Sequence, residues 1–431
     1  MVRNLSMTRQ FIASKRAIVI LGALAVVIGG AALLIAKQYP AGFTQSPSSS
    51  TCVKAPHKCD ASGRPIPSNG AAGVNPGLSA TVPSANAFIA PPAHAFIVTT
   101  YGADATGQHD ATAAIQKTIQ AAEAAGSHNT VYFPAGTYLL NRNDGQRVDF
   151  AISGDHAPNL LGAGRDFTKI VEKVGTVAYP GLANPKTVFT LTKLSGTRFR
   201  GLTVDTQTYN AGDTLDDYGD NTTIENSRFL GAQNKNTFTL RVLAVCNASA
   251  GSRLYGIHHS GNSIHDVILS GRGTGGNDDL DFSCQWDGTI SDVTDVGWGI
   301  ALYLDKNVSI TNYNFTPGVD QKDPRGWYVT DSSYITIINF TSSGQGGIIK
   351  NAKTRSTNIT IDHEWMTSPG TSLVIGDADD VVISNSTLSG LLIDPYVSAN
   401  GIRVTASTLG SVQCSPHPGA SITGLVGLQC R

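Results

Sequence analysis

A short motif recurs through the second half of the chain: a few alternating β-branched residues, an Asn or Asp, then a turn of small residues. It reads "TRFRGLTVD" at 197–205, "TTIENSRFLG" at 222–231, "NSIHDVILSG" at 262–271 and "GTISDVTDVG" at 288–297. It continues as "VSITNYNFTPG" at 308–318, "YITIINFTSSG" at 334–344, "NITIDHEWMTSPG" at 358–370, "VVISNSTLSG" at 381–390 and "GIRVTASTLG" at 401–410. Most steps are 20–27 residues and one is near 40, which places an inserted loop before Asn262. A β-rich repeat of this length cannot bury its apolar face alone. It stacks, each coil laying short strands on its neighbour about 4.8 Å away, so that inward side chains form one continuous core. Abundant glycine (46) with only 3 methionines fits strands and tight turns rather than helices. The pattern predicts an all-β solenoid.

The N-terminus has a different character. Residues 17–36, "AIVILGALAVVIGGAALLIA", are uncharged, mostly apolar and about as long as a bilayer-spanning helix. Arg3, Arg9, Lys15 and Arg16 precede them, which places the short tail in the cytoplasm and everything after the segment outside. A cleaved signal peptide is the rival reading, but its apolar core is usually only about 7–15 residues. Residues 1–37 therefore read as tail and signal-anchor, and 38–94, rich in Pro, Ser, Gly and Ala, as a disordered stalk. Residues 95–431 form the folded domain.

Six cysteines (Cys52, Cys59, Cys246, Cys284, Cys414, Cys430) suit an oxidising, extracytoplasmic compartment. Their order suggests Cys52–Cys59, Cys246–Cys284 and Cys414–Cys430 among the 15 pairings that six allow. No C-x-x-C or matched His spacing points to a metal. A formal net charge of -1 without a basic patch gives nucleic-acid binding no electrostatic basis.

The domain opens with "YGADATGQHDATAAIQKTIQAAEAAG", followed by "TVYFPAGTYLL". Asp110 reads as an N-cap, Ile115, Ile119 and Ala122 share one helical face, and Gly126 ends the helix. This opening, with "LLGAGRDFTKI" at 160–170 and "FRGLTVD" at 199–205, resembles the start of the pectate-lyase-like, rhamnogalacturonase/epimerase-like right-handed parallel β-helix proteins. The resemblance implies that the helix caps the N-terminal end of the solenoid. It also implies a polysaccharide partner, although the fold hosts non-enzymes too.

The stretch "GGNDDLDFS" at 275–283 holds the most concentrated candidate chemistry. Strand alternation puts Leu280 and Phe282 in the core and Asp279 and Asp281 on the outer face. Two carboxylates on one strand face sit about 6.5–7 Å apart at the backbone, near the lower end of the separation that inverting glycosidases use. The next coils add Tyr303, Tyr328 and Lys350 to that face, with Ala301 and Asp305 outward beside them. The expected site is therefore catalytic Asp279 and Asp281, with Asp278 as an alternate, and substrate-binding Tyr303, Tyr328, Lys350 and Trp298. In the polygalacturonase-like members an Asp-Asp pair corresponds to Asp278 and Asp279. The Gly-His-Gly that follows it there is absent here, and "IIK" at 348–350 only loosely matches their Arg-Ile-Lys.

No cofactor is expected for a hydrolase. A polysaccharide lyase would instead hold Ca²⁺ at the Asp cluster and use Lys350 or Arg325 as base, and a non-catalytic envelope-binding or adhesive protein would use the face for contact alone. His258 and His259 read as solvated turn residues, Trp327 as core, "DTLDDYGD" at 213–220 as a solvated acidic turn, and several Asn-x-Ser/Thr asparagines as corner residues bonded to neighbouring coils. Deleting residues 1–37 should move the protein from the membrane to the soluble fraction of a cell lysate. Continued membrane retention would overturn the anchor.

Overall fold

A computed structural model describes residues 87–140, 148–154, 156–172, 187–206, 213–231, 238–244, 258–271, 278–318, 325–351, 354–366 and 370–430. The expected anchor at 17–36, most of the expected stalk, and Cys52, Cys59, Cys246 and Asn247 lie outside these residues. No helix among the described residues is long and apolar enough to cross a membrane.

The expected solenoid is present as a parallel β-helix. The strands form one 23-stranded and one 11-stranded sheet, and in the latter the strands follow chain order, each coil pairing parallel with the next. Inward aromatic rings pack against one another within and between coils. Phe150 lies 5.1 Å from Phe189, Phe189 5.6 Å from Phe199, and Phe199 5.5 Å from Phe229, measured between ring centres. Rings at these separations gain contact energy beyond their buried area.

The corners explain the recurring Asn and Asp. Asn226, Asp266, Asp292, Asn312, Asn339, His363 and Asn385 all have φ between 43° and 56°. A second corner repeats this at Asn221, Asp287, Asn307, Asn358 and Asp380. Among non-glycine residues, Asn and Asp accept this left-handed conformation best. Their side chains also link coils: Asn312 Nδ2 donates to Asp292 Oδ1 at 2.9 Å, and Asn339 Nδ2 to Asn312 Oδ1 at 3.0 Å. Asn221, Asn307, Asn339, Asn358 and Asn385 of the Asn-x-Ser/Thr sites are thus corner residues.

The N-terminal helix α1 (Thr112–Ala124) buries Ile115, Thr118, Ile119 and Ala122. Its N-cap is Ala111 rather than Asp110, whose Oδ1 instead accepts the Thr112 N–H at 2.9 Å. Residues 87–94, expected to be stalk, lie on the solenoid. Ile89 N donates to Ala163 O at 2.8 Å, and the Tyr132 hydroxyl donates to Ile89 O at 2.6 Å. At the other end Cys414 and Cys430 are disulfide-bonded with Cα atoms 5.3 Å apart, and Cys284 is also disulfide-bonded.

The core also holds acids. Glu364 is 1% exposed; its Oε1 accepts Trp327 Nε1–H at 3.0 Å and its Oε2 accepts no hydrogen bond among the described residues. Burial raises its pKa well above 4.5. The folded state therefore keeps this proton at pH values where the unfolded chain has released it, so stability falls as pH rises. Glu364→Gln keeps the acceptor for Trp327 and removes the ionisation. Denaturant titrations should show the stability difference shifting in the variant's favour above pH 4.5, by up to about 1.4 kcal/mol per pH unit. A difference independent of pH would contradict this.

Candidate functional site

The outer face of the 11-stranded sheet carries the polar cluster. Six strands build it: β1 (Leu215–Asp220), β2 (Leu240–Leu243), β3 (Leu280–Ser283), β4 (Ile300–Tyr303), β5 (Arg325–Thr330) and β6 (Gln345–Lys350). Leu215, Leu240, Leu280, Ile300 and Trp327 are in register and fully buried. Alternation then turns the next residue of each strand outward, giving the row Asp216, Arg241, Asp281, Ala301, Tyr328. Two residues on, the outward row is Leu243, Ser283, Tyr303, Thr330, Lys350.

Arg241 is the hub. Its Nη1 donates to Asp213 Oδ2 at 2.9 Å, and its Nε lies 3.8 Å from Asp216 Oδ1 and 3.7 Å from Asp281 Oδ2. Asp216 and Asp281 thus flank one guanidinium from opposite neighbouring strands. Strand spacing alone puts their Cα atoms about 9.6 Å apart. Burial, and then the nearby Asp213 charge, push Asp216 up to about 8 against the pull of Arg241. Burial also raises Asp281, opposed by the Ser283 hydroxyl that donates to it and by Arg241. Asp278 rises to about 7 through burial and the Asp281 charge, and Tyr218 to about 12 through burial and the Asp216 charge.

Several expectations need correction. Asp279 does not line the outer face, because it is 0% exposed and precedes the first residue of β3. Its Oδ1 accepts the Thr239 hydroxyl at 2.9 Å and its Oδ2 the Trp298 N–H at 2.9 Å. The segment 213–220 is likewise no solvated turn. Asp213, Asp216 and Asp217 are 4%, 6% and 1% exposed. Asp217 stands in register with core residues Leu191 and Val242, and burial lifts it to about 7.

Asp305, expected outward, is 2% exposed. The strand ends at Tyr303 and the left-handed Leu304 (φ 58°) breaks the alternation, turning Asp305 inward to accept the Gln285 N–H at 2.6 Å. Tyr303 and Tyr328 are half-buried on the outer face. Lys350 Nζ lies 4.6 Å from the centre of the Tyr328 ring, within cation–π range, and burial, then Arg325, lower its pKa. Trp298 is half-buried, and its indole N–H is buried without a partner among the described residues.

His259 Nδ1 is 3.3 Å from Asp220 Oδ1, and His258 stacks on Trp286 at 4.4 Å, so neither ring is merely solvated. Among the described residues no group of three or more His, Cys, Asp or Glu side chains is arranged to hold a metal ion.

Sequence reasoning missed Asp213, Asp216, Tyr218 and Arg241. A signal did exist: "TLD" at 214–216, "TLR" at 239–241 and "DLD" at 279–281 share the form of a polar residue, a core Leu and an outward charge.

Residues 95–316 match the family described as rhamnogalacturonase A/epimerase, pectate lyase-like. A comparison with curated proteins finds no match. Among solved structures, the catalytic unit of a GH87 α-1,3-glucanase from Streptomyces thermodiastaticus strain HF3-3 is 14% identical with TM-score 0.44, covering 80% of this chain and 72% of that one. The mannuronan C-5 epimerase AlgE4 A-module of Azotobacter vinelandii is 16% identical with TM-score 0.37, covering 78% and 98%. The surface adhesin PfbA of Streptococcus pneumoniae is 14% identical with TM-score 0.43, covering 74% and 91%.

Removing the hub should leave the acidic cluster without its cation. Arg241→Met should cost roughly 2–3 kcal/mol at pH 7, below the about 3–5 kcal/mol of a fully buried pair because part of the guanidinium is wet. The loss should shrink near pH 4, where the acids can protonate. Equal losses at both pH values, measured by denaturant unfolding, would contradict the hub.

Proposed function

Because the chain belongs to the rhamnogalacturonase A/epimerase, pectate lyase-like family, we propose that it acts on a polysaccharide outside the cytoplasm and cleaves a glycosidic bond by carboxylate acid and base catalysis. The observation that carries this reading is the placement of Asp216 and Asp281 on either side of Arg241. The polymer lies along the solenoid face, with Tyr303, Tyr328, Lys350 and Trp298 as further contacts.

Asp216, pushed up to about 8, is the general acid that protonates the leaving oxygen. Asp281 is the base that activates water. The facing oxygens of Asp216 and Asp281 lie 3.8 Å and 3.7 Å from the same Arg241 Nε and so stand at most about 7.5 Å apart, a limit that falls within the about 6.5–9.5 Å carboxyl separation that leaves room for a water molecule and gives inversion at the anomeric carbon. Asp278, at the entry to β3 and raised to about 7, is the alternate acid. In this proposal residues 17–36 anchor the chain, with residues 1–16 in the cytoplasm and the β-helix outside.

The test uses the full chain in detergent against a panel of acidic and neutral glycans. Wild type should release reducing ends, and Asp216→Asn and Asp281→Asn should each lower kcat by about 10²–10⁴-fold while glycan binding persists. The alkaline limb of the pH profile should fall near 8, where Asp216 loses its proton. Unsaturated uronide products would replace hydrolysis with elimination. Absence of product from every glycan, with binding intact, would leave a glycan-binding protein without catalysis.

A further inference from the structure

Asp279 has no access to solvent, yet more of the surrounding chain is shaped to it than to any residue of the outer row. Its Oδ1 accepts the Thr239 hydroxyl from the preceding coil, and its Oδ2 the Trp298 N–H from the following one, each at 2.9 Å. Gly271 supplies a further backbone N–H. A Cβ at Gly271 would lie 1.9 Å from Asp279 Oδ1, and one at Gly297 1.9 Å from Oδ2. Both glycines therefore leave the only room in which this carboxyl fits. Its main chain is tied as well: Leu240 N donates to Asp279 O at 2.8 Å, and Asp279 N to Gly299 O at 2.8 Å.

The partner of Asp279 is a second carboxyl. Asp295 is 0% exposed and hydrogen-bonds side chain to side chain with Asp279. Two buried carboxyls in hydrogen-bond contact cannot both be ionised, so one proton lies between them. Asp279 already accepts three donors and is the natural anion. Asp295 Oδ2 accepts the Tyr313 hydroxyl at 2.7 Å, whereas its Oδ1 accepts nothing, as expected of an O–H that donates. The other titratable groups facing the pair are Asp278 and Tyr313.

We propose that Asp279 is a positioning residue, held by a proton shared with Asp295, which fixes the entry of β3 and so sets Asp278 and Asp281 on the outer face. This deepens the proposed glycan cleavage and rests on it for the roles of Asp278 and Asp281, but the lock itself needs no substrate. Burial and the Asp279 charge hold the Asp295 proton well beyond the usual carboxylate range. The folded state therefore binds a proton that the unfolded chain has released, and the lock weakens as pH rises.

Two variants of the full chain separate the outcomes. Asp295→Asn puts an amide N–H permanently where the shared proton lies and keeps an acceptor for Tyr313. Its melting temperature should fall less than that of wild type between pH 6 and pH 9. Hydrogen exchange over residues 278–283, corrected for intrinsic chemistry, should stay slow at pH 9 where wild type speeds up. Asp279→Asn sets an amide against the donors of Trp298 and Gly271. Exchange over 278–283 should rise about tenfold or more while residues 373–393 are unchanged, the signature of a local opening.

On a glycan that wild type cleaves, Asp279→Asn should lower kcat with KM unchanged. Uniform exchange changes along the solenoid in Asp279→Asn, or identical pH dependence in Asp295→Asn and wild type, would overturn the proposal. If no glycan is cleaved but exchange behaves as expected, the lock stands and the cleavage reading falls. If Asp216→Asn abolishes cleavage while Asp279→Asn alters neither exchange nor kcat, the reverse holds.

Discussion

Parallel hydrogen bonding of each coil onto the next is the constraint from which the remaining features follow. It makes residues at equivalent positions direct neighbours about 4.8 Å apart, so any residue type repeated in the sequence becomes a row in space. Phe150 and Phe189, in register on neighbouring coils, bring their ring centres to 5.1 Å. Corner asparagines become a ladder, because the left-handed φ they tolerate recurs at the same place in each coil. The same rule decides charge: an isolated surface Asp is cheap, but Asp216, Arg241 and Asp281 in one row must balance one another.

That balance accounts for the electrostatics of the outer face. Asp213, Asp216 and Asp281 share a single guanidinium, so the cation cannot fully compensate all three, and burial raises Asp216 and Asp281. Further along the axis the row passes through the small Ala301 to Tyr328, with Lys350 over its ring. The face is thus acidic over β1 to β3 and aromatic and basic over β5 and β6. Behind it the interior carries acids such as Glu364, whose pKa burial raises because a proton is cheaper to retain than a buried charge.

The legibility of the sequence followed from how local each signal was. The alternation of Leu280, Asp281 and Phe282, and the inward Trp327, could be read from the period of two alone. Asp279 could not, because it precedes the first paired residue, and its burial depends on Gly271 and Gly297 from other coils. Asp305 escaped because a single left-handed residue, Leu304, breaks the alternation that would carry it outward. Arg241 was marked only by the polar-Leu-charge form its segment shares with 214–216 and 279–281, and its importance arises from the acids on the coils before and after it. Residues 87–94 resembled linker because they attach through the Ile89 main chain, bonded to Ala163 O and to the Tyr132 hydroxyl, and through the Phe88 ring edge-on to Phe167, contacts with distant residues that no local pattern announces.

From its own composition and periodicity the chain specified a stack of β coils, the left-handed corners and the inward face of most strands. These are properties of one repeat, written into neighbouring residues. Tertiary structure alone decided which charges meet. Asp216, Arg241 and Asp281 are separated by 25 and 40 residues in the chain and become adjacent only through coil register. Register also sorts the carboxylates of "GGNDDLDFS". Asp281 faces the outer row and Asp278 marks its edge, while Asp279 is withdrawn into the wall, where its neighbours' missing side chains make room for it.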